Sequence, residues 1–193
     1  MGKPRKIVMF AFEDAQILDI AGPLQILGSA NRGRKEPFYE IVLAAQEASI
    51  ACVRPGAARN EFHEASVRVI TEGLIDLGLL EGSVDEAIEN ETYRDFYMHG
   101  TGHWLGLDVH DVGSYLDGND APRLLQAGMV TTVEPGIYVQ RDLDVDERFK
   151  GIGVRIEDDI LVTKGGNDNL TAAIPKTIAE IEALVGSDSR VHA

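Results

Sequence analysis

The chain contains one cysteine, Cys52, in 193 residues, which excludes an internal disulfide and a thiolate metal cluster. A lone thiol can still act as a nucleophile, but Cys52 lies in the Ala-rich run AAQEASIACV, where a buried, inert thiol on a helix is expected. Basic residues are also scarce. There are 18 Lys and Arg against 32 Asp and Glu, a formal net charge of −14, which disfavours nucleic acid and anionic membrane as partners. No apolar run approaches the length of a membrane span, and the opening MGKPRKIVMFAF lacks the cleavage site that follows a secretory signal. A cytoplasmic location is therefore expected. Internal repeats and low-complexity tracts are absent, and the length suits one substantial core with room for a small appended unit.

The chain opens on KIVMFAF, which reads as a buried strand, and continues through a loop into a helix ending near Gly33. The polar run RGRKEP then marks a boundary. In FYEIVLAAQEASIACVRPG the first half suits a strand, whereas the whole run to Val53 suits a helix stopped by Pro55 and Gly56; the helix is favoured. Phe62, Ala65, Val69, Ile70, Leu74 and Leu77 recur at helical spacing and predict an amphipathic helix. Residues 97–116 are rich in Gly and His without clean periodicity, as expected of a site loop. Strands are predicted at 130–139 and 152–163. In the second, Val154, Ile156, Ile160 and Val162 share one face, and Arg155, Glu157 and Asp159 the other. Thr177 followed by Glu180 is a capping-box signature ahead of Ile178, Ile181, Leu184 and Val185, so a final helix should pack back before a frayed tail at 186–193. The fold class is α+β.

Three of the five histidines, His99, His103 and His110, fall within MHGTGHWLGLDVHD. One loop imidazole usually does no more than hydrogen-bond its neighbours; three together, among glycines, point to a site. Glu134, in TTVEPG, places a carboxylate inside an apolar β-rich run, and Glu157, in VRIEDDI, shares a strand face with Arg155. Arg155 and Glu157 could equally form a surface ion pair on an edge strand. Taken as one constellation, an imidazole and two carboxylates make a hard site for manganese, cobalt or zinc, and such a site can hydrolyse.

FYMHGTGHWLGLDVHDVG, AGMVTTVEPGIYV and ERFKGIGVRIEDDILVT with NLTA behind it resemble three successive motifs of the bacterial Xaa-Pro aminopeptidases, the proline-specific branch of the pita-bread metallopeptidases. The likeness covers residues 39–185. It implies a partial pita-bread fold, with His103, Glu134 and Glu157 as metal ligands and Glu134 also shuttling a proton. It further implies that His99, His110 and Arg155 line the pocket for a peptide with proline at its second position. Two further aspartate ligands, which the family draws from a β-hairpin just upstream, have no counterpart. Residues 1–38 instead resemble the opening strand and helix of the ThiJ/PfpI superfamily through ILDIAGPLQ, with Asp19 at the position of that motif's acid. A fusion is therefore expected, holding fewer than two ions, with impaired activity and an exposed apolar sheet that favours a homo-oligomer. Alternative readings are a non-catalytic peptide-binding or oligomeric module, or a ThiJ/PfpI-type domain that lacks its nucleophile elbow.

Overall fold

The computed structural model describes residues 37–186, so the expected strand and helix before Pro37, with Asp19, and the tail after Gly186 lie outside the described residues. Helix α1 (Phe38–Cys52) forms over the run that also suited a strand. Its buried positions Phe38, Val42, Ala45, Gln46 and Ser49 step by three and four, a spacing that only a helix turns to one side. Cys52, at its last turn, is half-buried rather than fully buried, because the chain leaves the helix there for an extended Val53.

Helix α2 (Glu61–Asp76) buries Phe62, Ser66, Val67, Ile70, Thr71 and Leu74. The buried face is thus rotated from the predicted stripe, and Ala65, Val69 and Leu77 sit at its margin. Hydropathy misplaced it because Ser66 and Thr71 are satisfied internally, donating to the carbonyls of His63 and Val67 at 2.8 and 2.7 Å. The two helices pack tightly enough that a Cβ on Gly73 would lie 2.7 Å from Ile41. Helix α3 (Val84–Glu89) opens on a Ser83–Glu86 capping box, and a short 3-10 turn (Thr92–Asp95) delivers the chain to the Gly- and His-rich segment.

Each predicted strand is divided in two: β1 (Val130–Val133) with β2 (Gly136–Tyr138), and β3 (Gly153–Arg155) with β4 (Asp158–Val162). The antiparallel register is nevertheless continuous. Val133 pairs with Asp158, and beyond the gap Gly136 pairs with Arg155 in the same frame. Pro135 causes the gap, since it has no N–H to donate, and only a 3.4 Å contact from Ile156 N to Pro135 O bridges it. Strand β5 (Asn167–Asn169) pairs with the other side of β4. One apolar cluster, including Phe38, Ile70, Tyr97, Ile137 and Val154, fills the space between the helices and the β2–β3 end. A second, including Phe62, Trp104, Val133 and Ile160, lies along β1 and β4. No helix among the described residues is long and apolar enough to cross a membrane.

Asp158 lies on the buried face of β4 at 1% exposure, where the alternation placed apolar residues. It is held by Lys176 Nζ at 2.7 Å, Gln46 Nε2 at 2.8 Å and Thr171 Oγ1 at 2.6 Å. Burial pushes its carboxyl up, but the hydrogen bonds of Lys176, Thr171 and Asn169 outweigh it and leave the group below its usual value. Helix α4 (Ile178–Gly186) follows from this anchor with the predicted Thr177–Glu180 box in place, Glu180 N reaching Thr177 Oγ1 at 3.3 Å. Ile178, expected on its buried side, is 37% exposed. Lys176→Met leaves Asp158 buried without its cation and should cost about 3–5 kcal/mol, read as a lowered urea midpoint. An unchanged midpoint would show that the tether carries no stability.

Candidate metal centre

The site forms where the ribbon is interrupted. Glu134 and Glu157 each lie one residue beyond the Val133–Asp158 pair, so the shared register sets them opposite one another on the same face. Alternation puts Thr132 and Tyr138 on that face with Glu134, and Arg155 and Asp159 with Glu157. The segment bearing His103 runs beside β1 as an irregular third strand. Leu105 N donates to Val130 O at 3.2 Å, Thr132 N to His103 O at 3.0 Å and Glu134 N to Thr101 O at 2.7 Å. Such an approach requires glycine at position 102, where a Cβ would lie 2.0 Å from Thr132 O.

Three neighbouring strands thereby bring one donor atom each from His103, Glu134 and Glu157 within 4.8 Å of one another. Among the described residues this is the one such cluster. His103 Nδ1 donates to Trp104 O at 3.0 Å, which directs Nε2 toward Glu134 Oε1, 3.3 Å away. Glu134 is 8% exposed; its Oε1 accepts from Thr132 Oγ1 at 3.0 Å, and its Oε2 lies 3.6 Å from Arg155 Nε. Glu157 is exposed, so the cluster opens to solvent on its side. The donor set fits a hard or borderline divalent ion.

The other sequence-predicted residues border this cluster. His99 Nδ1 donates to Gly100 O at 2.8 Å, which leaves Nε2 to accept from Tyr138 Oη and Arg155 Nη2, both at 3.0 Å. Burial, aided by the charge of Arg155 and only partly countered by the Gly100 carbonyl, pulls the His99 pKa down to about 4. Burial likewise pushes Tyr138 up to about 12, so both are neutral at pH 7. His110 is exposed and stands edge-on to His103, with ring centroids 4.2 Å apart. Thr132 and Tyr138 were not singled out in the sequence, although they share the parity of Glu134. Nothing in the sequence marked His63, Ser66, Tyr97 and Thr101, which form a polar cluster behind the site.

Residues 19–164 match the family described as Metallopeptidase family M24. The match thus begins inside the 1–38 segment. The chain is 53% identical over 167 residues to the Xaa-Pro aminopeptidase of Haemophilus influenzae, covering 86% of this chain and 38% of that protein. Among solved structures, Pseudomonas aeruginosa aminopeptidase PepP superposes with a TM-score of 0.76 at 56% identity, over 78% of this chain and 34% of that one. A zinc-substituted Escherichia coli aminopeptidase P in complex with product gives a TM-score of 0.74 at 51% identity, over 79% and 34%. The chain therefore spans well under half the length of these relatives.

The His99 environment predicts a pH dependence with a definite sign. Free imidazole titrates near about 6.5, so between there and about 4 the unfolded chain binds a proton that folded His99 refuses. The contribution of His99 is complete above about pH 6.5 and is lost progressively as pH falls toward the folded-state value near 4. His99→Gln should flatten the fall of the urea midpoint across this window. An equally steep fall in the variant would assign the effect to other groups.

Proposed function

Because the chain belongs to metallopeptidase family M24, we propose that it is a metal-dependent hydrolase of the Xaa-Pro aminopeptidase type, acting on peptides with proline at the second position. Its α+β fold is part of the pita-bread fold of the aminopeptidase P structures. The observation that carries this reading is the convergence of His103, Glu134 and Glu157 at the ribbon break.

His103 Nε2 and the carboxylates of Glu134 and Glu157 would hold the ion, manganese, cobalt or zinc by donor type. When bound, such an ion polarises a carbonyl and acidifies water near neutral pH. Glu134, largely buried and oriented by Thr132 and Arg155, is placed to take up a proton and return it to the leaving amine. Arg155 also fixes His99, and neutral His99 and exposed His110 border the space a peptide would enter. Two carboxylates balance one divalent charge, so we propose fewer than two ions per chain and turnover reduced relative to the longer relatives.

We assign residues 39–185 to the peptidase-like unit, 1–38 to a preceding segment with ThiJ/PfpI likeness and 186–193 to a tail, and favour a cytoplasmic setting. A second reading, a peptide-binding or oligomeric module without turnover, draws support from the 105–124 loop, where Leu107 is fully exposed and Val112 is 89% exposed.

Calorimetric titration with Mn²⁺ tests the site, with about one ion bound per chain as the expected outcome. His103→Ala and Glu157→Ala should each weaken affinity at least about tenfold, in line with the loss of a ligand. Affinity unchanged in both variants would remove the site assignment. Hydrolysis of an Ala-Pro peptide by the same manganese-loaded preparation separates enzyme from binding module.

A further inference from the structure

Thr101 is 1% exposed, and its hydroxyl meets His63 Nδ1 at 2.8 Å, Ser66 Oγ at 2.6 Å and, in a short contact, the Tyr97 hydroxyl. A threonine hydroxyl offers one proton and two lone pairs, so three partners saturate it. The protons can then be assigned. Ser66 Oγ gives its single proton to the His63 carbonyl at 2.8 Å, so the proton between Ser66 and Thr101 belongs to Thr101. Thr101 has none left for His63. Nδ1 of His63 must therefore carry the proton and donate, and Tyr97 supplies the remaining donor. Burial and the nearby charges of Arg59 and Arg94, against Glu64, lower the His63 pKa, which agrees with a neutral ring.

The main chain of the same residue reaches the candidate metal centre. Thr101 O accepts the Glu134 amide at 2.7 Å, and two residues on His103 N donates to Thr132 Oγ1 at 3.0 Å. Gly102 between them lies so close to β1 that only glycine fits, and its carbonyl accepts from Arg59 Nη2. Helix α2 therefore grips the 101–103 segment through the Thr101 side chain, while β1 grips it through the backbone. We propose that Thr101 is a positioning residue: its saturated hydroxyl couples α2 to the backbone of Glu134 and His103 and holds both in ligand geometry. This rests on the metal reading above. Partners one step removed from a metal commonly change affinity by about 10- to 100-fold when lost.

The test compares Thr101→Val, which keeps the shape and removes the hydroxyl, with Thr101→Ser, which keeps the hydroxyl. Thr71→Val is the control, since Thr71 is buried on the same helix but its hydroxyl serves only Val67 O. Three quantities are read on the full chain: hydrogen exchange of the Glu134 amide, the His63 tautomer by nitrogen NMR, and Co²⁺ affinity. In the wild type, His63 should be the Nδ1–H tautomer. Thr101→Val should lower both Glu134 protection and Co²⁺ affinity by about tenfold. Thr101→Ser should restore both, and Thr71→Val should melt earlier with both intact. Should Thr101→Val not fold, Ser66→Ala, which removes one partner of the hydroxyl, is expected to show the same losses at smaller size. Wild-type protection and affinity in Thr101→Val, or equal losses in Thr71→Val, would overturn the proposal. A wild-type chain that binds no Co²⁺ overturns the metal reading instead, and Glu134 exchange still decides the coupling.

Discussion

The candidate site depends on one register. A single antiparallel frame runs from the Val130–Leu161 pair to the Tyr138–Gly153 pair and places Glu134 across from Glu157 at its midpoint. A shift of one residue would send one carboxylate to the core and bring an apolar side chain to the site. The core enforces the frame, because Val133, Ile137, Val154 and Ile160 on the opposite face are all nearly inaccessible. Packing energy on one side of the ribbon thus sets the geometry of the charges on the other.

Adjacent carboxylates on one strand illustrate the division of labour. Glu157 faces the site and solvent, whereas Asp158 faces inward and is neutralised by Lys176 and two further hydrogen-bond donors. The inward acid ties α1, β4 and the approach to α4 together, and the outward acid is thereby set at the site. Two carboxylates at consecutive positions thus meet opposite environments, one in the core and one at the candidate site, and strand alternation decides which is which.

Much of this was legible in the residues. The alternation of 152–163 separated Arg155, Glu157 and Asp159 from the apolar face, and the glycines around His103 announced a bent segment. YEIVLAA alone satisfies both periods, but the Ala-rich continuation to Cys52 favoured the helix, and a helix forms there. Pro135 and Gly136 already signalled the end of regular pairing beyond Glu134, but the β-rich pattern of 130–139 and 152–163 runs across the break, so each was predicted as one strand. Ser66, Thr71 and Asp158 were missed for a common reason: each polar group is buried because a partner distant or local satisfies it, and hydropathy does not record partners. The His63–Thr101 contact links positions 38 residues apart and leaves no periodic trace.

Proline at position 135 has one more effect. In a complete ladder, residues 135 and 156 would exchange two hydrogen bonds, but here only the Ile156 amide can contribute, and it does so at 3.4 Å. The rung beneath the two glutamates is thus half-latched. Backbone bonding there is weaker than in the complete rungs on either side, so lateral spacing at the gap depends more on the side chains around it. For the proposed centre over such a seam, the choice among manganese, cobalt and zinc would follow donor chemistry more than a rigid spacing.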